Sequence, residues 1–300
     1  MNFQIATIII ILLLTMIVSG NNLSAAVGTL LGSRIVKKWQ GYLLGAGGLS
    51  TGLILEGNFL SDSIFRIMPG GDTLILINVS VSFALFLFAT YYRIPLSLTM
   101  AIVGTAIGIS MRTGYSMDSW YALTVLIAWI AAPVISIIAA YYMNRELNGI
   151  KYRNVWKAAG TYKILLVAIS FLTAFTLGAN TFGLLYSLAP HSYELLALMI
   201  VSIFAGTFFL SGGVIRRVAQ DVYSMRYLNA FVSLFISSIL VEGATFLSIP
   251  LSNTQTLTSS VFGSGLSYRN KLMLPKAFVI VVLMWVISPL LGMAAGYILA

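Results

Sequence analysis

Ile94-Pro95-Leu96-Ser97 opens a short apolar stretch, and the same four residues return 155 positions later as Ile249-Pro250-Leu251-Ser252. Other matches keep the same order and nearly the same spacing. Ala128-Trp129-Ile130-Ala131-Ala132-Pro133 lies 156 positions before Met284-Trp285-Val286-Ile287-Ser288-Pro289. Asn21 lies 159 positions before Asn180, and Leu49-Ser50 followed by Gly52 matches Leu210-Ser211 followed by Gly213. One such match is within reach of chance in a chain rich in Gly, Ser and Leu. Four in one order describe an internal duplication.

The composition says what kind of unit is duplicated. Hydrophobic residues make up 59% of the 300, and charged residues 8%. A soluble domain carries roughly 25% charged residues, so this chain has too little charge to solvate a globular surface. Its apolar excess equally excludes disorder. A membrane-spanning helix needs about 20 mainly apolar residues. The expected spans are 3–33, 41–57, 73–92, 95–111 and 120–143, then 164–189, 193–215, 228–248, 250–266 and 277–299. The expected fold is an all-α polytopic membrane protein of about ten segments in two inverted-topology repeats. Residues 1–143 form the N-terminal repeat, 144–163 a basic cytoplasmic linker, and 164–300 the C-terminal repeat. No Lys or Arg precedes the apolar run 3–18, so the first span is read as a retained membrane segment rather than a signal peptide.

Charge sets the orientation. With Arg34, Lys37 and Lys38 placed inside and the sides alternating, 15 of the 17 basic residues fall inside, and only Arg66 and Arg112 outside. Both termini then lie outside. Five crossings per half make the second half start on the opposite side from the first, so the repeat is inverted, as in many secondary transporters. The formal charge of +9 therefore reflects membrane topology, and no nucleic-acid partner is implied. The absence of cysteine removes thiolate metal sites and cysteine nucleophiles. A single histidine, His191, makes no metal cluster. The sequence contains no phosphate-binding P-loop, dinucleotide fingerprint or nucleophile elbow. The expectation is a non-enzyme that needs no cofactor.

Four places are expected to depart from regular helix at membrane depth: 19–24, 95–99, 178–181 and 250–254. Paired breaks of this kind point to a transporter's binding site. Proline at a helix start has no amide hydrogen to leave unpaired. Ser97, Thr99, Ser252 and Thr254 add hydroxyl donors beside free backbone amides at the positive end of a helix dipole. Asn21, Asn22, Ser24, Asn180 and Thr181 contribute further neutral polar groups. Such a donor set suits a dehydrated oxyanion without a buried cation. The bland reading for any single hydroxyl is a bond to its own backbone or to a neighbouring helix. Gly28, Gly32, Gly104 and Gly108 have the spacing of close helix packing. Glu56 and Glu242 fall near outer helix ends, as interfacial residues or as a site for a proton or cation.

Together these motifs resemble the inorganic phosphate transporter (PiT) family of secondary permeases, of which this chain looks like a divergent member. That family carries G-A-N-D-V-A-N early in each half. Ser19-Gly20-Asn21-Asn22-Leu23-Ser24-Ala25 is similar to the first copy, and Gly178-Ala179-Asn180-Thr181-Phe182 to the second. Its P-V-S-T-T-H motif is matched by Pro95-Leu96-Ser97-Leu98-Thr99-Met100 and by Pro250-Leu251-Ser252-Asn253-Thr254-Gln255. The resemblance covers most of the chain. It implies an inverted repeat, often a dimer in the lipid bilayer, and phosphate uptake driven by Na⁺ or H⁺. Carried over by position, Asn21, Ser97, Thr99, Asn180, Ser252 and Thr254 are the substrate-binding candidates. Asn22 and Thr181 stand at the family's Asp positions, which weakens a Na⁺ site. With Glu56 and Glu242 they are the secondary candidates for coupling. The expected function is a permease for an inorganic oxyanion, foremost phosphate. The alternatives are a sulfate or other oxyanion permease, and a non-transporting receptor or assembly component on the same fold.

Overall fold

The computed structural model describes residues 3–92, 96–150, 154–211, 227–267 and 275–300. The regular structure among these residues is helical throughout. The first half contributes α1 (Phe3–Gly32), α2 (Lys38–Glu56), α3 (Asp72–Tyr92), α4 (Leu98–Thr113) and α5 (Ser119–Gly149). The second contributes α6 (Val155–Leu177), a π-helical turn (Gly178–Phe182), α7 (Gly183–Tyr186), α8 (Tyr193–Leu210), α9 (Tyr227–Phe246), α10 (Asn253–Leu266) and α11 (Pro275–Leu299).

Seven helical stretches among the described residues are long and apolar enough to cross a membrane. The helix α2 is not one of them, and its glycines explain its place. A Cβ on Gly48 would lie 2.7 Å from the Ala174 Cβ, and one on Gly52 would lie 1.9 Å from the Phe175 carbonyl. It is packed backbone to backbone against α6, which side chains would prevent. At 16 and 14 residues, α4 and α10 are the short ones. They rise about 24 and 21 Å at 1.5 Å per residue, less than the ~30 Å hydrocarbon layer.

The packing follows a two-fold logic. The pairs α1 with α8 and α2 with α6 are equivalent if the halves are exchanged, and so are α4 with α11 and α5 with α10. Each of these eight helices thus packs most against a helix of the other half, while α3 and α9 pack most within their own. The α4–α11 contact is built on glycines from both sides. Cβ atoms on Gly104 and Gly108 would lie 2.2 and 2.1 Å from the carbonyls of Pro289 and Met293. Those on Gly292 and Gly296 would lie 2.6 and 2.4 Å from the carbonyls of Ala101 and Thr105. The packing reading of Gly104 and Gly108 is what the structure contains.

One expectation needs correction. Residues 19–24 are no break: α1 runs through Ser19-Gly20-Asn21-Asn22 without interruption. Gly20 serves close approach, since a Cβ there would lie 2.8 Å from the Gly206 carbonyl on α8. Within 144–163, α5 extends to Gly149 and α6 begins at Val155. The departure at 178–181 is present as the π-helical turn. Ile94, Pro95, Gly213 and the basic residues Arg93, Lys151, Arg153, Arg216, Arg217, Arg226, Arg269 and Lys271 lie outside the described residues.

Candidate oxyanion site

The helices α4 and α10 begin in the same way. Ser97 and Ser252 are their N-caps, in extended backbone, with side-chain oxygens accepting from the amides of Met100 and Gln255 at 3.4 Å. The Ser97 hydroxyl hydrogen remains available to donate, and Ser252 Oγ lies 2.9 Å from Thr254 Oγ1, where either hydroxyl can donate to the other. The segments that lead into these caps are fixed by the opposite half or by the π-helical turn. Ser288 on α11 donates to the Ser97 carbonyl at 3.0 Å. Trp129 Nε1 on α5 donates to the Pro250 carbonyl at 2.9 Å. Pro133 has no amide hydrogen, which frees the Trp129 carbonyl one turn earlier; it accepts from Gln255 Nε2 at 3.3 Å.

The most constrained residue is Asn180. It is fully buried. Its Nδ2 donates to Thr245 Oγ1 at 3.0 Å and to the Ile249 carbonyl at 3.1 Å, and its Oδ1 accepts from the Leu251 amide at 3.1 Å. It works as a clamp on the chain entering α10. Just before that chain, Ser248 sits at φ 57°, the left-handed region. Its carbonyl accepts from the Tyr121 hydroxyl at 2.5 Å.

The two N-termini meet at a cavity of about 20 Å³ lined by Asn22, Phe86, Leu96, Ser97, Leu98, Thr99, Thr181, Ser252, Asn253 and Thr254. Six of the ten expected site residues are therefore brought together: Asn22, Ser97, Thr99, Thr181, Ser252 and Thr254. Asn21 and Asn180 are not among the lining residues, although the sequence placed them first. Phe86 on α3 is an addition that no motif signalled. No lining residue is charged, and two helix N-termini add partial positive charge. An anion could be held here by hydroxyls, amides and dipoles alone. The cavity admits about one water-sized sphere, so four oxygens require the two N-termini to part.

Glu56 and Glu242 lie away from this cavity and beside one another. Each has a buried Oε2 without a hydrogen-bond partner. They end α2 and the last turn but one of α9, so the fold joins carboxyls 186 positions apart in the chain.

Larger cavities lie elsewhere. One of about 430 Å³ is lined by Asp62, Asp72 and His191 among others, and its carboxylates would repel an anion. Another of about 710 Å³, between Trp129, Pro133, Trp285 and Pro289, is almost wholly apolar and offers an oxyanion few donors.

Comparison with known proteins follows the same line. A solved structure titled "The sodium-dependent phosphate transporter" superposes with a TM-score of 0.85 at 15% identity, covering 100% of this chain and 98% of that one. A Methanocaldococcus jannaschii protein provisionally named as a phosphate permease is 22% identical over 292 residues, 97% of this chain and 95% of its own length. The sulfate permease CysP of Bacillus subtilis is 24% identical over 319 residues, 99% of this chain and 87% of its own. The profile of the phosphate transporter family matches residues 18–159 and 144–296, and the chain belongs to that family.

Proposed function

We propose that this protein is a secondary permease for inorganic phosphate, working by alternating access around the cavity between the N-termini of α4 and α10. The observation that carries the reading is the convergence of two capped helix N-termini, one from each half, on a pocket lined by Ser97, Thr99, Ser252, Thr254, Asn22 and Thr181. A tetrahedral oxyanion fits this chemistry, because it needs many donors at short range and loses its hydration shell on entry. The reciprocal packing of the halves gives each of them one wall of the site. Rocking one wall against the other would open the pocket to one side at a time. The orientation we propose puts the basic residues inside and both termini outside.

The coupling ion is proposed to be the proton. The pocket has neutral oxygens and no carboxylate, whereas Glu56 and Glu242 place two carboxyls side by side, where a proton can be taken up and released. The sulfate-permease relative motivates one rival substrate, and competition between the two anions discriminates them.

The test is uptake of labelled phosphate into proteoliposomes under imposed proton and Na⁺ gradients, applied separately. Accumulation under the proton gradient alone is expected, competed by excess phosphate and not by sulfate. Accumulation that requires Na⁺ would overturn the coupling assignment. Transport and affinity unchanged in Ser97→Ala, Thr99→Ala, Ser252→Ala and Thr254→Ala together would overturn the site.

A further inference from the structure

The cavity does not end the polar surface of this molecule. From Asn253, at its edge, a line of buried polar side chains runs down the interface of α9 and α10. On α10 it follows Asn253, Thr256, Ser260 and Ser264, spaced by three, four and four residues and so on one helix face. Ser237 and Ser233 meet it from α9. Ser237 Oγ is 2.7 Å from Thr256 Oγ1 and donates to Asn253 Oδ1 at 3.3 Å, and Ser233 Oγ is 3.1 Å from Ser264 Oγ. At the far end Asn144 Nδ2, on α5, donates to the Ser264 carbonyl at 3.0 Å. The next residue is the exposed Arg145.

Two features bear on what this seam does. First, part of it is unpaired. Asn253 Nδ2 and Ser260 Oγ have no hydrogen-bond partner, although Asn253 is 6% exposed and Ser260 0%. Unpaired buried hydroxyls occur elsewhere too, at Ser82 and Ser136 among others, but here they lie in line with the pocket, where water or an anion can take them as partners. Second, the other half matches it on one helix only: Asn78 and Ser82 of α3 stand at the positions of Ser233 and Ser237, but α4 has no such line. The residues 155 positions before Asn253, Thr256, Ser260 and Ser264 are Leu98, Ala101, Thr105 and Ile109. Thr105 turns its hydroxyl onto its own helix, donating to the Ala101 carbonyl at 2.8 Å. The asymmetry is chemical, on a scaffold whose packing is symmetric.

We infer that the α9–α10 seam is one half of the translocation path, the half that joins the oxyanion pocket to the basic face of the protein, and that α10 parts from α9 to let the hydrated anion pass along Asn253, Thr256, Ser260 and Ser264. The inference rests on the permease reading and adds the route. When the seam opens, water and the anion's oxygens take the unpaired Ser260 hydroxyl and Asn253 amide as partners. On leaving, the anion meets the field of the basic face, which raises its local concentration near the exit.

The chain has no cysteine, so Ser260→Cys carries a single thiol. The probe is a membrane-impermeant methanethiosulfonate bearing a sulfonate, applied to inside-out and right-side-out vesicles. Modification of Ser260→Cys is expected from the basic face alone, with none at Ile239→Cys, whose side chain faces outward from α9 (49% exposed). Should Ser260→Cys not fold, Ser264→Cys takes its place. A thiol inert from both faces, in vesicles that take up phosphate, would overturn the route. Modification in vesicles that take up no phosphate would keep the route and remove phosphate as its cargo. A second pair separates conduction from packing. Ser260→Asp is expected to slow uptake at least about tenfold relative to the isosteric Ser260→Asn, because a fixed like charge repels the anion in a narrow passage. Equal uptake by the two folded variants would overturn the inference.

Discussion

Replacing Asn180 by alanine tests whether this residue is a clamp or a ligand. The change removes three hydrogen bonds at a fully buried position. Thr245 is insured, because its hydroxyl also donates to the Val241 carbonyl at 2.9 Å. The Ile249 carbonyl and the Leu251 amide are left without the side-chain partner. A buried backbone group stripped of its partner costs about 1–3 kcal/mol, so the two together cost about 2–6 kcal/mol. Side-chain hydrogen bonds within membranes often measure nearer 0.6 kcal/mol, which draws the expectation to the lower half of that range. At about 2 °C per kcal/mol for a chain of this size, the melting temperature in detergent should fall by about 4–8 °C. Uptake should fall with it, because Pro250, Leu251 and the Ser252 cap lose their support. Hydrogen exchange at the Leu251 amide should accelerate. Asn180→Asp should do no better than alanine: it keeps an acceptor for Leu251 but turns an oxygen towards the Ile249 carbonyl, 3.1 Å from the present nitrogen. A variant that melts with the parent and loses only phosphate affinity would refute the clamp and restore Asn180 as a substrate ligand.

Three further outcomes follow from the geometry. Gly104→Leu should disrupt folding by about 3 kcal/mol or more, because even a Cβ would lie 2.2 Å from the Pro289 carbonyl. Gly47→Ala, which meets nothing within 4 Å, should be neutral or stabilising, and size-exclusion profiles with melting curves separate the two. Ser248→Gly should stabilise by up to about 1 kcal/mol by relieving a left-handed residue at φ 57°, and a lower melting temperature would contradict this. Finally, the Tyr121 amide and the Arg66 guanidinium hold the Asp118 carboxyl below its ordinary value of 3.8. A depressed carboxyl stabilises the fold above its unfolded value and loses that contribution as pH falls through the folded one. The melting difference between the parent and Asp118→Asn should therefore be flat above pH 3.8 and fall away below it, and Arg66→Ala should shrink it without moving its onset.

Much of this protein was legible along the chain. Composition alone placed it in lipid, because 8% charged residues cannot solvate a globule of 300. The recurrence of Ile-Pro-Leu-Ser and of Trp-x-x-x-Pro at nearly one offset marked the duplication, and the four hydroxyl residues at the starts of α4 and α10, Ser97, Thr99, Ser252 and Thr254, all line the cavity. These features are local: a cap, a proline and an apolar run act through their own neighbours. The error at 19–24 has a local origin too. Ser, Gly and Asn read as a break by propensity, but there the close approach of α8 to Gly20 outweighs propensity.

What only the tertiary structure decided is direction. Adjacent residues on a helix point about 100° apart, so a motif cannot say which of Asn21 and Asn22, or of Asn180 and Thr181, faces the pocket. Packing turned Asn22 and Thr181 towards it and committed Asn180 to the turn before α10. The same holds for the meeting of Glu56 with Glu242 and for the hydroxyl seam of α9 and α10. Each depends on how helices from distant parts of the chain are rotated against one another. That rotation is set by the summed burial of whole faces, which is a property of the assembled fold rather than of any segment in it.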